Sequence, residues 1–176
     1  MKTRPSFLSL VCALLTVGVA PLFAAAPSLA GHWRLDPAAS SPIKPWETTT
    51  LTIALDGDAV QITRELTWGR ERHASELTKA VLDGRTATAT PLAYWLDTWY
   101  NNVYIGGDKQ QHVTGAWIEP GRVFKLERQL TLEAQQGDAP VHIYDEYRLS
   151  PDGGTLKLFE LRSTRDQPLV FIFTRA

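Results

Sequence analysis

Three charged residues stand in positions where the surrounding pattern calls for apolar ones. Val60, Ile62, Leu66 and Trp68 recur with a period of two, and the member between them is Arg64. In the same way Arg128 interrupts Phe124, Leu126 and Leu130, and Asp145 interrupts Val141, Ile143 and Tyr147. Successive side chains of a strand point to opposite faces, so each charge shares the apolar, inward-facing parity of its segment. An unpaired charge in a core is costly, and these groups must meet partners, water or a ligand. Arg64 and Arg128 either pair with Asp145, or with Glu160, in an internal salt-bridge network, or a β-bulge shifts the parity and exposes one of them. Otherwise one guanidinium is left to hold a ligand carboxylate by a bidentate contact. In that case Trp68, Trp117 and Tyr147 supply apolar contact, and Arg64 or Arg128 orients the acidic head group. Asp145 keeps the arginine ordered when the site is empty, and Trp95 and Trp99 cover the mouth.

Local signatures of catalysis are missing. The chain contains no Gly-x-Ser-x-Gly elbow, no His-Glu-x-x-His pair and no phosphate-cradling glycine loop. His32, His73, His112 and His142 lie far apart on different expected strands, and the parity of His142 turns it to solvent. The neighbours Asp145 and Glu146 point to opposite faces and cannot act as a carboxylate pair. No catalytic residue, metal ligand or cofactor is therefore assigned.

The elements that must position the three charges are strands. Asp56-Gly57-Asp58, Gly69, Asp83-Gly84, Gly106-Gly107-Asp108, Pro120-Gly121, Gly137-Asp138 and Pro151-Asp152-Gly153-Gly154 punctuate the chain every dozen or so residues. Between them lie alternating segments, including Leu51, Ile53 and Leu55. Residues 71–82 carry apolar positions at helical spacing but run into a turn as a hairpin arm would, and are read as strand. Residues 91–100 read as one short helix, with Thr90 as N-cap, Pro91 at the first position, and Leu92, Trp95, Leu96 and Trp99 on one face. The run Leu169 to Phe173 is apolar on both faces, as suits a strand between neighbours or beneath another element. A meander of this length leaves two bare edges unless it closes, and about eight strands enclose room for side chains or one small ligand. The expectation is an all-β, antiparallel up-and-down barrel of about 8–10 strands with one short helix.

Composition sets the frame around that barrel. Residues 1–26 have the order of an export signal: Lys2 and Arg4, an apolar run from Phe7 to Leu15, and the small residues Ala24-Ala25-Ala26. The apolar run is shorter than the roughly 20 residues a spanning helix needs, and cleavage is expected within 24–30. Residues 27–176 then form one domain, located in the periplasm or secreted. The single cysteine, Cys12, falls within the signal and lacks the small residue that precedes a lipoprotein cysteine, so the domain has no disulfide and no thiolate. The formal charge is −1, and removal of Lys2 and Arg4 makes it more acidic, which excludes nucleic acid as a partner. With 44% hydrophobic and 21% charged residues the chain is not a disordered one.

Gly31-His32-Trp33, followed by Leu35-Asp36-Pro37 and Ser40, resembles the opening of bacterial exported lipocalin-like proteins. Leu149-Ser150-Pro151-Asp152-Gly153 with Thr155-Leu156 is similar to their penultimate hairpin, and Arg175 resembles the arginine that lipocalins stack on the first-strand tryptophan. The resemblance implies a closed calycin-type barrel with a central cavity for a small apolar or amphipathic molecule, Trp33 and Arg175 closing one end. On this reading the protein is a binding module. A filled barrel serving as a structural or interaction domain of the envelope is the alternative, followed by a hydrolase or isomerase that uses the same cavity.

Overall fold

The computed structural model describes residues 28–43, 45–93, 95 and 103–176. The strands are β1 (Gly31–Leu35), β2 (Thr48–Asp56), β3 (Ala59–Trp68), β4 (Arg72–Val81), β5 (Thr88–Pro91), β6 (Tyr104–Ile105), β7 (Gln110–Glu119), β8 (Val123–Ala134), β9 (Gly137–Leu149), β10 (Thr155–Arg162) and β11 (Leu169–Arg175). They form one antiparallel up-and-down sheet in the order β4-β3-β2-β1-β11-β10-β9-β8-β7-β5, with β6 beside β8. Short β5 and β6 bring the count above the expected range. The expected export signal, residues 1–26, lies outside the described residues, as does the expected cleavage region up to residue 27.

The sheet curls into a nearly closed barrel because β4 at one edge meets β7 near the other. Asp83 bridges to Ala116, and the Gly84 N–H donates to the Gly115 carbonyl at 2.7 Å. Gly115 makes this approach possible, since a Cβ there would lie 2.8 Å from Leu82 and 3.0 Å from Leu126. Farther along, the backbones part and a side chain spans the gap: the Gln111 amide donates to the Leu77 carbonyl at 3.0 Å and to Thr78 Oγ1 at 3.1 Å.

Up-and-down connectivity sorts the turns onto two ends. The Trp33 end carries the turns after β2, β7 and β9, and the opposite end carries those after β3, β8 and β10. At the Trp33 end the interior is filled by Trp33, Leu51, Phe124, Leu126, Tyr147, Leu156, Leu158 and Phe173. At the opposite end the apolar residues divide into two smaller groups. Leu130, Leu132, Val141 and Ile143 gather with Leu92 and Ile105 under Trp95, while Leu66 and Ala74 sit under Ile43 and Trp46.

The strand expected within residues 71–82 is β4 (Arg72–Val81), with Ala74, Glu76, Thr78 and Ala80 facing inward. Phe171 and Phe173 of β11 also point inward, the half-buried Val170 and Ile172 outward, between β1 and β10. The short helix over residues 91–100 needs correction where it is described. Thr90 does not cap a helix but pairs with Gln111, and Pro91 closes β5 opposite Gln110. A proline is tolerated at the end of an edge strand because it owes no ladder hydrogen bond there. Leu92, Ala93 and Trp95 have no regular structure, and residues 94 and 96–102, including Trp99, lie outside the described residues.

Candidate functional site

Across the middle of the barrel, between its filled end and its divided end, lies a layer of buried charge. β3 supplies Arg64, β4 Glu76, β8 Arg128, β9 Asp145, and β10 Glu160 and Arg162. Parity put Arg64, Arg128 and Asp145 inside, and the structure brings all three together. Each guanidinium nitrogen of Arg128 has a polar partner within 3.4 Å. Its Nη1 donates to Glu76 Oε1 at 2.8 Å and to Gln111 Oε1 at 3.4 Å, and its Nη2 to Glu160 Oε2 at 3.4 Å. Its Nε lies 2.7 Å from Asp145 Oδ2, but the N–H is not aimed at that oxygen, so the contact is a close ion pair without a formed hydrogen bond. Glu160 is also bonded by Arg162 Nε through its other oxygen.

Arg64 differs from Arg128. Its only ion-pair partners among the described residues are Glu76 and Glu160, each at 3.8 Å, too far for a hydrogen bond. A guanidinium has five N–H donors, and among the described residues none of those of Arg64 is used. It is also not sealed: Arg64 and Thr78 each keep 7% of their surface exposed and Glu76 keeps 8%, while Trp33, Leu126 and Leu158 at the filled end keep 0%. The groups around Arg64 are thus less completely covered than the filled end, and on the divided side of the layer Leu92, Leu130 and Leu132 keep small exposures too.

The electrostatics follow from burial and neighbours. Burial pushes the Asp145 carboxyl up to about 6; Arg128 opposes the rise, and Glu160, directly across the strand pair, adds to it. Burial acts on Glu160 as well, but Arg162, Arg64 and Arg128 outweigh it and hold that carboxyl down at about 2. Burial opposes the charge on Arg64, yet Glu76 and Glu160 keep its pKa above the usual arginine value. Tyr147 has its hydroxyl raised above the usual phenol range, by burial first and by Asp145 next. Among the described residues, with every group ionised, Arg64, Arg128 and Arg162 balance Glu76, Asp145 and Glu160.

The other residues expected at a ligand site are distributed differently. Tyr147 stacks on Phe124 with ring centroids 4.7 Å apart, and Trp117 meets Phe124 edge-on at 5.8 Å while its Nε1 donates to Asp58 at 3.3 Å. Both therefore belong to the filled end. Trp68 keeps the inward parity but lies on the rim of the opposite end, 36% exposed, under the Arg72 guanidinium at 4.3 Å. Trp95 rests on the apolar group at that end, with Arg162 5.0 Å from its ring. Sequence reasoning missed Glu76, Gln111 and Arg162. Glu76 and Gln111 share the parity of Ala74 and Ala80 and of Val113 and Gly115 respectively, so period two would have revealed them.

All four histidines are exposed, His142 among them. His112 and Asp108 form a surface pair at 2.7 Å. Among the described residues no group of three His, Asp or Glu side chains is placed to hold a metal, and no helix is long and apolar enough to cross a membrane. No family model matches the chain, and no curated protein matches it in sequence.

Proposed function

We propose that this protein is an exported, lipocalin-like binding module that takes a small amphipathic anion into the divided end of its barrel, head group at Arg64 and apolar part among Leu66, Leu130, Leu132 and Ile143. The observation that carries the reading is the contrast between the two central arginines. Arg128 has four polar partners, whereas among the described residues Arg64 has unused donors, and it keeps 7% of its surface exposed. A guanidinium with a free fork in a low-dielectric interior suits a carboxylate or sulfonate, and apolar walls add affinity by burial. Trp95 covers the mouth in this scheme, and Trp117 and Tyr147 serve packing. The Trp33–Arg175 closure and the up-and-down order support the lipocalin-like assignment, and residues 1–26 support export to the periplasm.

Displacement of a fluorescent fatty-acid probe by decanoate and by decanol tests the reading. Wild type should bind both, and Arg64→Met should weaken decanoate by about tenfold or more while hardly affecting decanol. If neither ligand binds, the barrel is a structural or interaction domain. An intact mass that still includes residues 1–22 in protein recovered from the cell envelope would refute export.

A further inference from the structure

We infer that the interior site takes up its anion together with one proton, and that Asp145 stores the proton. The inference rests on the reading that an anion binds at Arg64. Among the described residues three guanidinium groups and three carboxylates balance in the layer, so an anion arriving at Arg64 adds one negative charge to a largely buried set. A buried excess charge is relieved by protonation.

Contacts decide which carboxylate yields. Glu160 on β10 is held by Arg162 Nε, by Arg128 Nη2 at 3.4 Å and by Arg64 at 3.8 Å. Glu76 on β4 accepts a hydrogen bond from Arg128 Nη1 at 2.8 Å and keeps some exposure. Asp145 on β9 is fully buried; its Oδ2 has one close ion-pair contact, Arg128 Nε at 2.7 Å, and neither oxygen accepts a well-aligned hydrogen bond from the described residues. It faces Arg128 from β8 and Glu160 from β10, with Tyr147 on its own strand and Arg64 acting from β3. Of the three, its charged form is the least supported. Arg64 is one of the two cations that favour its ionisation, so an anion that engages Arg64 weakens that support and raises the proton affinity of Asp145 further. The step balances as one anion and one proton entering, with the Asp145 carboxylate becoming a carboxylic acid.

Decanesulfonate, whose charge does not titrate, tests this by calorimetry in two buffers of different ionisation enthalpy. At about pH 7.5 binding should take up close to one proton, and the dissociation constant should rise about tenfold per pH unit above about pH 6 and level off below it. Decanol should take up no proton. Asp145→Asn should abolish both the uptake and the slope; if that variant does not fold, the proton count of the wild type decides. Sulfonate binding that depends on Arg64 but takes up no proton overturns the storage role and leaves the site intact. Failure of the sulfonate to bind, or binding indifferent to Arg64→Met, overturns both.

Discussion

Arg175 is the direct cross-strand partner of Trp33, and its guanidinium carbon lies 4.2 Å from the centroid of the indole ring. The same guanidinium donates to the carbonyls of Ser28 at 2.6 Å, Ala30 at 3.3 Å and Gly153 at 3.2 Å, while Trp33 Nε1 donates to the Leu29 carbonyl at 3.0 Å. One cation thus ties the segment before β1 and the β9–β10 turn across the end of the barrel. Gly31 makes the arrangement possible: its φ is +142°, and a Cβ there would lie 2.6 Å from Arg175 Nη1. The Gly-x-Trp spacing at residues 31–33 therefore has a steric cause.

Trp33 is fully buried, and Trp33→Ala should cost about 3–5 kcal/mol in urea unfolding, as for other large aromatic deletions in cores. Gly31→Ala should cost roughly 1–3 kcal/mol through the strained backbone and the displaced Arg175. A near-neutral result for Trp33→Ala would remove the closure from the account of stability.

The two central arginines should separate in a paired experiment. Arg128→Met strands Glu76, Asp145 and Glu160 without their common partner and should cost about 3–5 kcal/mol. Arg64→Met breaks no hydrogen bond, and its loss should stay near 1–2 kcal/mol, with the effect falling on anion binding. Equal destabilisation by the two variants would mean that Arg64 is a structural member of the network.

Period two made the barrel and its charged layer legible in the sequence, because a strand with one buried face repeats at that interval whatever its neighbours are. Arg64, Arg128 and Asp145 were visible because each broke an otherwise apolar row. Their sharing of partners was not, since the pairing of Arg128 with Glu76 joins residues 52 apart through a register that only closure defines. Glu76 escaped notice because β4 also satisfies helical spacing. Thr90-Pro91 misled for a related reason: the pair that starts helices also ends an edge strand, and the ladder with Gln110 and Gln111 decides between them. Parity likewise says nothing of depth, so Trp68 could not be told apart from a core residue although it stands on the rim.

Depth predicts how the tryptophans respond to truncation. Trp68→Ala should change stability by about 1 kcal/mol or less, the scale of an exposed cation–π contact with Arg72, and should leave decanol binding unchanged. Trp95→Ala removes the cover from Leu92, Leu130, Leu132 and Ile143 and should weaken decanol several-fold. A larger effect from Trp68 than from Trp95 would put the ligand on the rim.

The buried carboxylates give the pH dependence of stability two opposite slopes. Asp145, raised from 3.8 to about 6, holds a proton in the native state that the unfolded chain lacks between those values. Stability should therefore rise as pH falls from about 6 towards about 4, by up to roughly 1 kcal/mol per pH unit. Glu160, lowered from 4.5 to about 2, contributes stability that is complete above 4.5 and is lost as pH falls towards about 2. Tyr147, raised above 10.0, contributes stability that is present below that value and lost on the alkaline side. The expected profile is a maximum near pH 4–5, followed by steep acid loss, measured by urea unfolding across the range. Asp145→Asn should flatten the rise between about 6 and 4 and leave the acid limb, whereas Glu160→Gln should lower stability near neutrality and blunt the acid limb. A wild-type profile that falls steadily below pH 6 would contradict the assignment of Asp145 as the strained member of the layer.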